Sequence, residues 1–297
     1  MNKVLIITGP TGSGKTKVSI EVAKHFNTEI INGDAFQVYR GMDILTAKIK
    51  PAEMEGIKHH LFDIINPTEE FNVATYQKLV RELIEEFTKR NKLPLIVGGS
   101  GLYLNSVIYD YDFSTSGRSD ETKYDHLTDY ELHDILKKLN EAAALKIHPH
   151  NRKRVIRAIE LAQNNAIINE FNNKLLYDAK IIYLNVERKV LYERINERVD
   201  DMINDGLIDE VNRLIKLDLS KTALGAIGLK EMIPYVEGIV SKETAIMEVK
   251  KNTRHYAKRQ LTWFRHQNNI NIVDVNYHNF QETINQIIQI VDEWLHK

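Results

Sequence analysis

The stretch LIITGPTGSGKT, residues 5–16, carries the strongest structural signal in this chain. An apolar run leads directly into a glycine-rich turn that ends in Lys15 and Thr16, and the turn matches the phosphate-binding pattern G-x-x-x-x-G-K-[ST]. Glycines in such a turn let backbone N–H groups point inward around an oxyanion, and the following helix adds the positive end of its dipole. A strand, a phosphate-binding loop and a helix are therefore expected here, in preference to a glycine-rich turn without a ligand.

This loop supplies the first candidate binding residues. Lys15 is expected to neutralise phosphate oxygens, and the Thr16 hydroxyl is the candidate ligand for Mg²⁺. The residues expected around the phosphate are Gly9, Pro10, Thr11, Gly12, Ser13, Gly14, Lys15 and Thr16.

Apolar runs rich in β-branched residues predict the strands of one sheet. Helical stretches separate most of these runs, an alternation that is typical of buried, mostly parallel strands. The runs lie at 3–8, 28–33, 93–99, 179–186 and 270–275. Between the second and third runs, apolar residues from Val73 to Phe87 keep the period of a helix, and Asn72 is placed to cap it. The expected fold class is α/β, a P-loop NTPase-like parallel sheet flanked by helices.

Residues 109–145 interrupt this alternation. They are polar, acidic and without strand patterns, and they begin with the loop-like stretch DFSTSGRSDETKYD at 112–125. We expect a small helical insertion there, while 1–108 and 146–297 form the α/β core. A second helical block is expected from 188 to about 265, before the last strand.

The composition of the chain excludes several classes of protein. The 297 residues carry 40 basic and 41 acidic side chains, a net charge of −1, so a nucleic-acid partner has to be met by a local patch. The chain has no cysteine, which excludes disulfides, zinc fingers and thiol nucleophiles. Its apolar start is too short for a signal peptide or a membrane span. A cytoplasmic protein without a membrane partner is expected.

The acidic residues at the strand ends differ from those of a nucleotide hydrolase. Nucleotide hydrolases need a carboxylate at the end of a later strand, but LPLIVGG continues as SGLYL without one. The run EIING instead delivers Asp34 at the carboxyl edge of the second strand, beside the phosphate loop in an open parallel sheet. Asp34 is thus placed to act on a second substrate, or else it serves as a turn or cap residue.

Three basic stretches stand out in this neutral chain. The first covers 146–160, and the second, 247–266, interleaves its cations with Tyr256, Trp263 and Phe264. Cations with nearby aromatic rings suit an RNA loop, although a solvated helix face explains each stretch alone. In the third, Arg194 and Arg198 share a helix face and can reach a diphosphate together, or pair with neighbouring acids.

These stretches resemble the tRNA dimethylallyltransferase family. The resemblance covers nearly the whole chain, in the order of the family. Its motifs are GPTGSGKT, DAFQVYRGMDILTAK, HHLFDIINP, VGGSGLYLNSVIYDYDF, HPHNRKRVIRAIEL, LYERINERVDDMINDGLIDEV, AIGLKE and NTRHYAKRQLTWFR. It implies transfer of a dimethylallyl group from dimethylallyl diphosphate to N6 of adenosine 37, in tRNAs that read codons beginning with U.

The resemblance also implies roles for single residues. Asp34 matches the general base, Ser100 a small hydroxyl residue near the reacting centre, and Arg198 a cation on the leaving diphosphate. The phosphate loop and Arg194 are implied to bind that diphosphate, with Mg²⁺ on Thr16. The residues implied to contact the tRNA anticodon stem-loop are Asp34, Ala35, Phe36, Gln37, Lys153, Arg154, Val155, Ile156, Arg157, Lys258 and Arg259.

Other functions fit part of the pattern. A small-molecule kinase could hold ATP on the same loop, and an isopentenyltransferase could act on a free adenine nucleotide, but neither needs the basic patch at 250–265. An RNA-binding protein with a switching nucleotide site needs no Asp34. A monomer without an obligatory protein partner is expected.

Overall fold

The computed structural model describes residues 1–111, 113, 121–163, 174–267 and 269–297. The chain divides into two compact units. The first unit comprises Met1–Ile108 and Leu175–Lys297, and the second comprises Tyr109–Lys174. The second unit therefore extends beyond the predicted insertion at 109–145. Much of the predicted loop at 112–125, namely 112 and 114–120, lies outside the described residues.

The first unit is built on a six-stranded parallel sheet in the order β3-β2-β4-β1-β5-β6. Its strands are β1 (Lys3–Thr8), β2 (Ile30–Asn32), β3 (His59–His60), β4 (Leu95–Val97), β5 (Asp178–Asn185) and β6 (Ile270–Asp274). This confirms the predicted parallel α/β sheet and the five predicted strands. The short edge strand β3 was not predicted, because two histidines carry no apolar run.

Twelve α-helices accompany the strands in the described part of the chain. They are α1 (Lys15–His25), α2 (Val73–Lys89), α3 (Gly101–Ile108), α4 (Asp129–Leu139), α5 (Glu141–Lys146), α6 (Arg152–Gln163), α7 (Arg188–Asn204), α8 (Leu207–Leu214), α9 (Lys221–Leu224), α10 (Leu229–Val236), α11 (Lys242–Arg265) and α12 (Phe280–Leu295). Asn72 caps α2 as predicted, since its side-chain oxygen accepts from the N–H of Thr75 at 2.9 Å. Among the described residues, no helix is long and apolar enough to cross a membrane.

The core of the first unit explains why β1 lies in the middle of the sheet. Ile6 is registered with Ile96 of β4 on one side and with Ile181 of β5 on the other. Residues 4–7 are each at most 1 % exposed, which is typical of a parallel strand covered on both faces. Helices α1 and α12 pack over one face of the sheet. On α11, the ring of Phe264 meets that of Tyr183 on β5, with centroids 5.5 Å apart.

The second unit is helical in its described part, as predicted for the insertion. Helices α4, α5 and α6 enclose a small apolar core that includes Leu132, Leu136, Val155 and Ile159. Helix α6 belongs to this unit because its apolar face packs against α4. Placing 146–163 in the α/β core was therefore a boundary error: the sequence shows that α6 is amphipathic, but not which partner covers its apolar face.

Candidate active site

The phosphate loop has the backbone conformation that its glycines predict. Gly12 and Gly14 have φ angles of 83° and 87°, in the left-handed region where side chains are strained. Gly14 has no space for a side chain either, because a Cβ would lie 2.8 Å from the Phe280 ring of α12. Helix α1 begins immediately afterwards at Lys15, so the helix N-terminus faces the loop as expected.

Lys15 lies at the base of this loop. Its Nζ donates to the carbonyl oxygens of Gly9 and Pro10 at 2.9 and 2.8 Å. The pKa of Lys15 is lowered from 10.5 to about 7, first because burial removes water from the ammonium group and second because Arg198 repels it, while Asp34 opposes the shift. A bound anion would stabilise the charged ammonium group against both burial and the repulsion by Arg198, so the site favours a diphosphate.

Two arginines of α7 reach the same loop, as the spacing of Arg194 and Arg198 predicts. Arg198 Nη1 donates to Thr11 Oγ1 at 3.3 Å, and burial lowers the pKa of its guanidinium, opposed by Asp34. Arg194 Nε donates to the carbonyl of Gly12 at 3.0 Å, with its guanidinium 4.3 Å from the centre of the Tyr277 ring. Both side chains therefore contact the phosphate loop and add positive charge beside it.

Asp34 follows β2 and combines both roles considered from its sequence position. Its Oδ1 accepts from the N–H of Phe36 at 2.9 Å, and its own N–H donates to Asn32 Oδ1 at 2.9 Å, so it does stabilise a turn. Burial raises the pKa of its carboxyl, while the N–H of Phe36 and the charge of Lys15 oppose the rise. The turn thus fixes the carboxylate, and burial makes it a stronger base.

The turn after β4 carries no acid and lies against Asp34. Ser100 Oγ accepts from the N–H of Ala35 at 3.2 Å, which connects the two loops. Gly98 touches Gly33 so closely that a Cβ on Gly98 would lie 2.1 Å from the Gly33 carbonyl group. The predicted hydroxyl residue, Ser100, is therefore next to the predicted base.

Most of these groups line one cleft of about 710 Å³ in the first unit, but the wall does not include the predicted residues Gly9, Pro10, Ala35 and Ser100. The predicted residues on its wall are Thr11, Gly12, Ser13, Gly14, Lys15, Thr16, Asp34, Phe36, Gln37, Arg194, Arg198 and Arg259. Gln37 uses its Nε2 within the loop, donating to the Thr46 carbonyl at 3.0 Å. The cleft thus brings a cationic phosphate site and the partly buried carboxylate of Asp34 into one cavity.

Three side chains that support this cleft had no assigned role from the sequence. Tyr256 and Gln260, one turn apart on α11, line the cleft, and Gln260 bonds to the phosphate loop. Buried Glu210 of α8 accepts from the N–H groups of residues 43–45 at 2.9 to 3.0 Å and so holds the loop after Asp34. Glu210 lies in an amphipathic helix pattern, but Leu45, whose N–H it accepts, is 165 residues away in the sequence. No local pattern therefore predicted this contact.

The structure divides the predicted RNA contacts at 153–157. Lys153 and Arg154 are exposed on α6, whereas Val155 and Ile156 are 0 % and 5 % exposed in the core of the second unit. Arg157 pairs with Glu160 at 3.1 Å. The helix period turns the side chains of Val155 and Ile156 inward, so within 153–157 only Lys153 and Arg154 have exposed side chains, and contact of this stretch with RNA stays a prediction.

Helix α11 also divides its cations between two faces. Lys250 pairs with Asp200 at 2.6 Å and Arg254 donates to Asn196 at 2.7 Å, so both join α11 to α7. Lys258 and Arg259 are exposed and line a groove with Trp263. The surface available to RNA on this helix is accordingly the exposed end around Lys258 and Arg259, and not the whole predicted stretch at 250–265.

Comparison with known proteins shows the family of this chain. Residues 37–267 match the family model described as IPP transferase. The tRNA dimethylallyltransferase of Anoxybacillus flavithermus is 46% identical over 303 residues, covering 99% of this chain and 97% of the relative.

Solved structures are similar over the whole chain. The full-length tRNA isopentenylpyrophosphate transferase of Bacillus halodurans is 42% identical, with a TM-score of 0.75 and 100% of each chain covered. A eukaryotic dimethylallyltransferase acting on tRNA is 27% identical, with a TM-score of 0.86 over 100% of this chain and 80% of that one. The chain therefore belongs to the IPP transferase family, the family of the tRNA dimethylallyltransferases.

Proposed function

We propose that this protein transfers a dimethylallyl group from dimethylallyl diphosphate to N6 of adenosine 37 in tRNAs that read codons beginning with U. The observation that carries the proposal is the cleft in which Asp34 faces a phosphate loop without a hydrolytic acid after β4. In this reaction a bond forms between N6 and the allylic carbon, the allylic C–O bond breaks, and diphosphate leaves with the electron pair. The N6 proton goes to a base.

The phosphate loop is suited to the leaving group. As the C–O bond loosens, negative charge collects on the diphosphate, and donors already aimed at it lower the barrier. Lys15, Arg198 and the loop N–H groups would supply these donors, with Arg194 supporting the loop from the side of Gly12. The described residues directly after β4 include no carboxylate, so the acid that nucleotide hydrolases use at this position to activate water is missing.

Asp34 is suited to the attacking amine. The exocyclic nitrogen of adenine is conjugated with the ring and is a weak nucleophile, so its proton has to be accepted as attack proceeds. The carboxylate has a raised pKa because of burial, and its turn is anchored by Ser100 Oγ through the N–H of Ala35. Both features favour proton transfer from a base held in a fixed position.

A magnesium ion fits this site through the substrate. Among the described residues, no cluster of three or more acidic, histidine or cysteine side chains could hold a metal ion. Mg²⁺ commonly keeps several waters and binds phosphate oxygens with few protein ligands. Thr16, whose side chain lines the cleft, would supply the protein ligand, and the ion would add positive charge at the diphosphate.

The adenine has to leave the stacked anticodon loop to reach Asp34, which is base extrusion. The exposed cations Lys258 and Arg259, with Trp263 and Tyr256 nearby, are suited to hold the anticodon stem-loop around it. Lys153 and Arg154 offer a second exposed pair. We further propose that the enzyme acts as a monomer in the cytoplasm.

The decisive experiment supplies labelled dimethylallyl diphosphate, Mg²⁺ and an unmodified tRNA transcript with adenines at 36–38. We expect label on the transcript, and none when adenosine 37 is replaced by guanosine. Label on free AMP but not on tRNA would support the adenine-nucleotide enzyme instead. Phosphorylation of an acceptor with consumption of ATP would support a kinase.

Asp34→Asn tests the base within the same assay. General base catalysis contributes about 10²- to 10⁴-fold, so we expect a loss of kcat of that size with tRNA affinity retained. Asp292→Asn, on the exposed face of α12, is the matched control and should leave kcat unchanged. Equal kcat in Asp34→Asn and the wild type would remove Asp34 as the base.

A further inference from the structure

A buried glutamine on α11 joins two loops of the cleft. Gln260 is 5 % exposed, its Oε1 accepts from the backbone N–H of Thr11 at 3.0 Å, and its Nε2 donates to the Gly99 carbonyl at 3.0 Å. Thr11 belongs to the phosphate loop, and Gly99 belongs to the turn after β4. One side-chain amide therefore connects the two loops directly, with its acceptor on one and its donor on the other.

The turn after β4 is shaped to receive this helix. A Cβ on Gly99 would lie 2.1 Å from Gln260 Nε2, and a Cβ on Gly101 would lie 2.3 Å from the Trp263 ring. Tyr256 lies one turn before Gln260, and interactions with Ser100 and Gln260 oppose the rise that burial produces in the pKa of its phenol. The glycines on either side of Ser100 thus allow α11 to pack directly on the turn.

The two loops serve opposite ends of the proposed reaction. Thr11 hydrogen-bonds to Arg198 and shares its loop with Lys15, on the side of the diphosphate. Ser100 hydrogen-bonds to the N–H of Ala35, on the side of Asp34. The separation of these loops therefore sets the distance between the leaving group and the base, and errors of about 1 Å in such distances reduce rates strongly.

We propose that Gln260 is a positioning residue that fixes the phosphate loop against the Ser100 turn, so that the diphosphate and Asp34 are held at the separation the transfer requires. It touches no reacting atom and acts through Thr11 and Gly99. The amide meets this requirement at every pH, because it accepts from an N–H and donates to a carbonyl at once, whereas a carboxyl of the same length does so only when it is protonated. The proposal rests on the proposed function for its effect on kcat.

Gln260→Glu provides a readout that general destabilisation would not give. The ionised carboxylate still accepts from Thr11, but it directs an oxygen at the Gly99 carbonyl instead of a donor. A protonated carboxyl restores the donor and has nearly the shape of the amide. The variant should therefore recover as the pH falls, whereas Gln260→Leu, which has neither group, should be impaired at every pH.

The test measures two ratios of variant to wild type between about pH 5.5 and pH 8.5, and Gln260→Leu, which adds no charge, separates loss of the amide from an effect of the new carboxylate on the titration of Lys15. One ratio is that of kcat for transfer to tRNA, and the other is that of affinity for inorganic pyrophosphate with Mg²⁺. An unmade buried hydrogen bond is worth about tenfold in such quantities, so we expect Gln260→Glu to lose about tenfold at the upper pH and to regain most of it at the lower.

Lys251→Ala, on the exposed side of the same helix and paired with Glu248, is the control, and both of its ratios should match the wild type at every pH. A pyrophosphate ratio for Gln260→Glu that stays constant with pH, or that equals one throughout, overturns the proposal. A wild-type protein that transfers nothing to tRNA would refute the proposed function instead, and the pyrophosphate ratio would still decide the role of Gln260.

Discussion

Lys15 should take up a proton when dimethylallyl diphosphate binds. Its pKa is lowered to about 7 by burial and by Arg198, so much of the lysine is neutral above that pH. An anion between the two cations stabilises the charged form and returns the pKa towards its ordinary value of 10.5. Binding and protonation of Lys15 are therefore linked.

The pKa sets the size of the effect. With a value of about 7, about nine-tenths of Lys15 is neutral at pH 8 and about one-tenth at pH 6. If the bound form is fully charged, about 0.9 proton is taken up per substrate at pH 8 and about 0.1 at pH 6. The affinity should accordingly fall by nearly tenfold per unit of pH above about pH 8, and change little below pH 6.

Titration calorimetry measures this uptake directly. Binding enthalpies in two buffers of different ionisation enthalpy give the number of protons exchanged. The guanidinium of Lys15→Arg stays charged throughout, so subtracting this variant removes the protonation of the substrate itself. Lys17→Arg, in the same turn of α1, is the matched control and should behave as the wild type. Equal uptake at pH 8 in the wild type and in Lys15→Arg would refute the reasoning.

Two further predictions concern the surface and the scaffold. Lys258→Ala and Arg259→Ala should each lower the slope of log tRNA affinity against log salt by about 0.7 to 0.9, because each removes one phosphate contact. Lys251 pairs with Glu248, so Lys251→Ala is the control and should leave the slope unchanged. An unchanged slope in all three variants would mean that this helix face is solvated and does not contact RNA. Glu210→Gln should lower the free energy of unfolding in urea by about 2 kcal/mol, because an amide replaces the buried carboxylate that holds residues 43–45; an unchanged urea midpoint would contradict this.

The sequence predicted most of the fold because its signals are local. The apolar run before the phosphate loop, the helical period after Asn72 and the four other β-branched runs each depend on neighbours within one element. The boundary of the second unit was wrong for the complementary reason. Helix α6 has an amphipathic pattern, and such a pattern does not say which surface it covers.

The sequence predicted the residues that line the candidate site but not the residues that hold its loops in place. The phosphate-loop pattern identified Lys15 and Thr16, and strand order placed Asp34 at the same edge of the sheet. The number of cations did not show which of them are available to RNA, because Lys250 pairs with Asp200 of α7 while Lys258 is exposed. A cation has the same sequence signature in both situations.

The residues of the proposed diphosphate and amine sites could thus be predicted from the sequence, since conformation in the phosphate loop and periodicity in the strands depend on short stretches. How those residues are held became visible only in the folded chain. Gln260 lies 249 residues from Thr11, and Glu210 lies 165 residues from Leu45. Contacts at such separations arise from packing of whole helices, and no local pattern specifies their partners.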